Sequence, residues 1–353
     1  MMKYPMSLSN IQANARKRGG FIRDGNLCLV AGIISLLWLG GCATPQSQLL
    51  LKLNPSHLPL QMELAEVPFY PQEVHQCGPA ALAAVLNASG VMVTPQDLTP
   101  QVYLPGLEGS LQVEMLAATR RNGLLAYELS PTLEDLLGEV VAGSPVVVLQ
   151  NLGLSWYPVW HYAVVVGYDL QREEIILRSG LERRQALPLT TFEHTWQRSG
   201  YWAMLALPPG TLPQTVVESV YVAAAAALEK SGQPKAAEAA YAAALELWPR
   251  NLTARIGMGN AAYAQGVVQR AEISYRQATL DHPDSAIAFN NLAQTLADQQ
   301  RYTEALDAAN QAVTLGGAEH AATLETLQQI SLAAGKQRDN FKTNVAGTHS
   351  LLK

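Results

Sequence analysis

Apolar positions along the chain fall into three regimes, and each predicts a different kind of structure. The first is a single unbroken run, Leu27 to Leu39, directly behind Arg16, Lys17, Arg18 and Arg23. The second, residues 63–207, mixes two periods. Ala80, Ala81, Ala84, Val85 and Ala88 recur with helical spacing, which predicts a helix starting at about Cys77. Leu111 to Asn122 and Thr132 to Val141 read as two more helices, stopped by Gly123 and by Gly143 with Pro145. Leu124–Leu129, Val146–Asn151, His161–Tyr168 and Glu174–Ser179 read as strands, and the stretch holding Pro95, Pro100, Pro105, Gly106 and Gly109 as a loop. Helices followed by a run of strands predict an α+β domain with an antiparallel sheet.

The third regime begins after Pro208-Pro209-Gly210, where alanine-rich helical spacing takes over with a period of 34 residues. Ala237, Ala271 and Ala305 fall in one column, and Tyr241, Tyr275 and Ala309 in the next. Ala244, Ala278 and Ala312 follow, then Pro249, Pro283 and Gly317. Small residues at fixed positions let paired helices approach closely, and prolines end them. Three units span 217–319, 320–336 reads as a capping helix, and 337–353 as a flexible tail. The break in composition predicts that residues 63–207 fold without those after 217.

Charge reframes the first regime. Of the chain's 24 basic and 29 acidic residues, the first 42 positions hold five and one, which leaves 19 basic against 28 acidic. No basic patch remains to serve nucleic acid, and no His/Cys cluster has metal-ligand spacing, so no cofactor is implied. A basic flank, a short apolar core and small residues describe a secretory signal over residues 1–41, too short to span a membrane comfortably. Leu39-Gly40-Gly41-Cys42 resembles the bacterial lipobox. That resemblance implies a lipidated Cys42 as the mature N-terminus, a tether over 42–62, and a place on the periplasmic face of the outer membrane. Met6 offers a second start. With Cys28 removed and Cys42 acylated, Cys77 is the one thiol left in an oxidising compartment, and a structural disulfide has no partner.

Cys77 lies at a helix start, where unpaired N–H groups and the helix dipole favour a thiolate. Gly78 permits close approach of another group, and Pro79 suits the first turn. A small buried hydrophobe is the bland alternative. His161 opens an apolar strand and so projects from a sheet end; a His near a helix-N-terminal Cys is the minimal base and nucleophile of thiol catalysis. Asp169 is eight residues further along that strand, roughly 26 Å away, too far to orient the imidazole. A hairpin centred on Leu170 instead sets Ser179 opposite His161.

Pro-Gln-x4-Cys-Gly-Pro-Ala, followed by His-Tyr-x-Val-Val-x-Gly-Tyr-Asp, resembles the papain-like bacteriocin-processing peptidases, which cut double-glycine leaders. The resemblance covers about residues 63–207. It implies Cys77 as nucleophile, His161 as base, and Gln72 as an oxyanion donor beside the Cys77 N–H, with Gln76 the alternative. Ser179 stands where that family carries its orienting Asp or Asn, and Glu182 is a nearby substitute. The 34-residue units resemble tetratricopeptide repeats. Together these imply a papain-like cysteine peptidase domain, then an all-α tetratricopeptide-repeat solenoid. The expected function is hydrolysis of a peptide or amide bond in a peptide or protein substrate. The repeats would bind a protein partner, and a lipid anchor would hold the membrane. A catalytically weak scaffold at the outer membrane is the rival reading, and transglutaminase-type acyl transfer a third.

Overall fold

In the computed structural model, which describes residues 44–71, 76–317 and 320–350 with side chains up to Asp339, the β-rich runs form one antiparallel sheet. Its strands are β4 (Leu125–Glu128), β9 (Ala203–Leu207), β5 (Val146–Asn151), β6 (Trp160–Asp169), β7 (Glu174–Ser179) and β8 (Glu182–Pro188), paired in that order. The short β1 (Gln61–Glu63) pairs with the far end of β6, beyond the reach of β5. The central strands are apolar over most of their length because both faces are covered, so successive residues enter different cores. Val146, Val148, Ala163 and Val165 face one; Val147, Leu149, Tyr162 and Val164 face the other. The second core is closed by α2 (Cys77–Ala88) and α4 (Gln112–Arg121), the first by α5 (Leu133–Val141) and α6 (Leu189–Gln197).

Several local expectations change. The proline-marked loop begins as a helix, α3 (Pro95–Val102), because Pro95 occupies the first turn and Thr94 and Asp97 form a capping box. A small hairpin follows, β2 (Tyr103–Leu104) with β3 (Gly109–Ser110). The tether expected over 42–62 is, in its described part, a docked helix, α1 (Pro45–Leu53). The fully buried Glu193 carboxylate accepts from the N–H groups of Gln46 (3.0 Å) and Ser47 (2.6 Å) and from the Ser47 hydroxyl. Periodicity over nine residues could not announce a helix whose first turn is capped by a residue 146 positions away.

The repeat region is helical throughout: α7 (Glu218–Lys230), α8 (Pro234–Leu247), α9 (Leu252–Ala264), α10 (Val268–Asp281), α11 (Ala286–Asp298) and α12 (Tyr302–Leu315). The alanine and tyrosine columns lie in the helix contacts, and all nine residues are buried. Tyr241 packs so tightly on Gly257, and Tyr275 on Gly259, that a Cβ at either glycine would collide with the ring. The last helix, α13 (His320–Ser350), runs past the expected end at 336, so the tail from 337 is helical backbone as far as Ser350.

The connection between the two regions is pinned rather than loose. Tyr127 Oη accepts from the Val217 N–H (3.0 Å), and Glu139 accepts from the N–H and hydroxyl of Thr215 (2.9 Å each). One apolar core runs from Leu125 and Tyr127 of the sheet through Tyr221 and Leu228 to Ala237 and Tyr241. The compositional break therefore does not separate two cores. Among the described residues no helix is long and apolar enough to cross a membrane.

Candidate active site

Cys77 is the first residue of α2, half-buried, with Gln76 at the cap position. The close approach expected at Gly78 is made by Ser110, since a Cβ at Gly78 would strike that side chain. Ser110 is held in turn by Tyr162, whose hydroxyl donates to its carbonyl (3.3 Å). The backbone of Tyr162 also hydrogen-bonds to Cys77. The strand carrying His161 is thereby fixed one residue away from the thiol, and Cys77 and His161 line the same cavity of about 1110 Å³.

His161 Nε2 lies 2.9 Å from the buried Ser179 hydroxyl. The route differs from the simple hairpin. The ladder pairs Val164 with Arg178, which centres the turn on Gln171, and a bulge lies between Val165 and Gly167. Ser179 thus reaches His161 diagonally across the strands rather than from directly opposite. Asp169 builds the turn: its Oδ1 accepts from the N–H groups of Gln171 and Arg172 (3.0 Å each). Glu182 pairs with Ser179 in the next hairpin and is exposed. Among the described residues, no carboxylate is hydrogen-bonded to His161. Gln76 does not line the cavity, and Gln72 and Cys42 lie outside the described residues.

Electrostatics at the pair run against the helix-dipole expectation. Burial pushes the Cys77 thiol up, and the backbone hydrogen bonds of Tyr162, Gly78 and Cys77 itself offset it only in part. Burial alone pulls the His161 imidazole down. Without substrate, desolvation favours the neutral thiol and neutral imidazole over an ion pair. The second ring nitrogen, Nδ1, is the one left for proton exchange, because Nε2 is engaged by Ser179.

Two features escaped the sequence reading. The β5–β6 connection is a built loop: Asn151 Oδ1 accepts from the N–H groups of Gly153 and Val159 (3.0 Å each), and the Arg198 guanidinium donates to the Gly153 carbonyl. The signal available was Asn-Leu-Gly at a strand end, an Asx turn beside a glycine. That loop leaves Trp156 80 % and Tyr157 69 % exposed beside the cavity.

An α+β domain with a Cys-bearing helix laid on an antiparallel sheet, its His on the central strand, is the architecture of a C39-like peptidase domain, and helical tetratricopeptide-like repeats follow it. Residues 64–204 match the Peptidase_C39 like family, and residues 222–278 and 257–320 match the tetratricopeptide repeat. The chain is similar in structure to a C39-like peptidase of Bacillus anthracis (20% identity, TM-score 0.36, 42% of this chain and 97% of that one). Its helical part is similar to the type III secretion translocator chaperone SycD of Yersinia enterocolitica (17% identity, TM-score 0.31, 33% of this chain and 87% of that one). It also resembles the Sgt2 TPR domain of Aspergillus fumigatus (20% identity, TM-score 0.31, 34% and 82%). A stretch of 115 residues is 31% identical to the tRNA modification GTPase MnmE of Levilactobacillus brevis, 32% of this chain. The chain spans about a quarter of that curated relative's length, 24%.

Proposed function

We propose that the protein is a cysteine peptidase that hydrolyses a peptide or amide bond, tethered by lipid at Cys42 to the periplasmic face of the outer membrane, with its repeats holding a protein partner or the substrate. The observation that carries the catalytic part is the placement of Cys77 and His161 in one cavity, with His161 steadied through Nε2 by Ser179. In this reading Cys77 Sγ attacks the scissile carbonyl carbon as its proton passes to His161. The oxyanion is held by the N–H at the start of the helix, with Gln72 as the side-chain donor. The amine leaves with the proton from His161. Water activated by His161 then cleaves the thioester, releasing the acid and restoring the thiol.

The test is hydrolysis of a fluorogenic peptide library together with the pH dependence of Cys77 alkylation by iodoacetamide. Cys77→Ala and His161→Ala should both abolish turnover, and His161→Ala should lower alkylation of Cys77 at neutral pH below the parent's. An alkylation profile unchanged in His161→Ala would sink the reading. One specific observation favours a scaffold instead: the hydrogen-bond partner of His161 is a neutral hydroxyl, and both site groups are displaced away from the charged pair. A scaffold would show slow alkylation and no turnover in the parent protein.

The lipid anchor rests on the lipobox resemblance alone. Cys42→Ser should move the protein from the membrane fraction to the soluble periplasmic extract with its melting temperature unchanged. Continued sedimentation of that variant with outer membranes refutes the anchor.

A further inference from the structure

Two segments that frame the cavity present apolar side chains to solvent, and both are fixed in place. One is the β2–β3 hairpin, which leaves Leu107 62 % exposed and ends in Leu111, 44 % exposed. The other is the β5–β6 loop, where Tyr157, Val159 and Trp160 reach the cavity and Trp156 stands beside Tyr157 with ring centroids 6.2 Å apart. This loop is not loose chain. Leu154 and Tyr157 form a bridge, the Leu152 N–H donates to the Val159 carbonyl (2.9 Å), and Arg198 clamps it from α6's C-terminal side. Its backbone is closely packed at Gly153, where a Cβ would run into the Tyr157 and Val159 backbone. An ordered loop that holds aromatic rings in water, at the mouth of a cavity containing a nucleophile candidate, has no folding reason to do so.

We infer that these two segments are the specificity surface of the cleft, and that the substrate is an extended polypeptide with bulky apolar side chains next to the scissile bond. The inference rests on the peptidase reading and specifies its substrate class. Among the described residues, the charged side chains that line the cavity are Glu108 on the hairpin and Arg198, whose guanidinium is already committed to backbone carbonyls and to His194. The described lining therefore offers a substrate apolar contact area more than charge. A cavity of about 1110 Å³ exceeds what one side chain needs, so more than one residue of the chain enters. Each seated aromatic ring gains from apolar burial and from ring contacts with Tyr157 and Trp160.

The experiment measures binding separately from cleavage. Full-length Cys77→Ala is titrated with two capped decapeptides of equal length and charge, one with Phe and Leu around its centre, the other with Ser and Gly. The apolar peptide should bind at least about tenfold more tightly, a ratio that differences of a few methylenes supply. Trp156→Ser with Tyr157→Ser should remove most of that preference without lowering the melting temperature, since both side chains are exposed. Equal affinity for the two peptides, or a preference that survives the double substitution, overturns the inference. So does loss, in the double variant, of binding to phosphatidylglycerol vesicles with no change toward peptide, because the rings would then belong to a lipid interface. If the apolar peptide binds selectively but the parent protein never cleaves it, the peptidase reading fails and the specificity surface stands. If both peptides are cleaved equally, the reverse holds.

Discussion

At the scale of single residues, Cys77 and His161 are governed by desolvation. Burial raises the one and depresses the other, so the fold favours both in their neutral forms. The sign of the stability effect follows. His161 contributes stability above its unfolded value of about 6.5, and that contribution is lost as pH falls through the lower folded value. Cys77 contributes below its unfolded value of about 8.5, and loses it as pH rises through the higher folded value. Calorimetric melting temperatures should therefore be highest between those limits. His161→Gln should flatten the acid slope and Cys77→Ala the alkaline one; slopes identical to the parent's would mean neither group is desolvated as described. Ser179 adds a second test. Ser179→Asp sets a carboxylate at Nε2, which raises the imidazole and stabilises the thiolate–imidazolium pair. Alkylation of Cys77 at pH 6 should rise roughly tenfold or more, while Ser179→Ala should change it little.

Individual elements are positioned by close approaches and buried polar contacts rather than by propensity. Helix α2 lies against the β3 turn because Gly78 leaves room for Ser110. Gly78→Ala forces the two apart and should cost about 1–3 kcal/mol of stability by overpacking, read as a lower denaturant midpoint with unchanged slope. In the repeats, Gly257 does the same for the Tyr241 ring, and Gly257→Ala should destabilise by a similar amount despite alanine's better helix propensity. Helix α1 depends on Glu193. Glu193→Gln keeps the shape but weakens bonds that a charged acceptor makes worth about 1.5–3 kcal/mol each. It should expose residues 44–53 to proteolysis well below the global melting temperature. Proteolysis of that segment at the parent's rate would show that apolar contacts through Leu50 suffice.

For the molecule as a whole, the peptidase-like domain and the first repeat are one folding unit. Removing residues 217–353 uncovers Leu125, Tyr127 and their neighbours and takes away the Val217 N–H that Tyr127 Oη accepts from. The shortened chain should be insoluble or melt without cooperativity, whereas the full chain should show one transition covering the sheet and α7. A truncated protein that melts cooperatively at the parent's temperature would restore the independent domain expected from composition. Because the junction is packed, the first repeat sits at a fixed position relative to the sheet, not on a swinging arm.

Short-range pattern was enough for the fold class. Ala80 to Ala88, the valine-rich runs and the 34-residue columns each express a local period, and a period survives whatever surrounds it. The same local signals singled out Cys77, His161 and Ser179 as candidate chemistry. What the tertiary structure alone decided is everything that depends on a distant neighbour. The strand offset that brings Ser179 diagonally to His161 comes from a bulge and an Asx turn at Asp169. The docking of α1 comes from Glu193, and the fusion of the two regions from Tyr127 and Glu139. The protonation preference of the Cys77–His161 pair is of the same kind. A helix start favours a thiolate wherever it occurs, but desolvation is set by the strands and hairpins packed over it, and those are not local to any stretch of sequence.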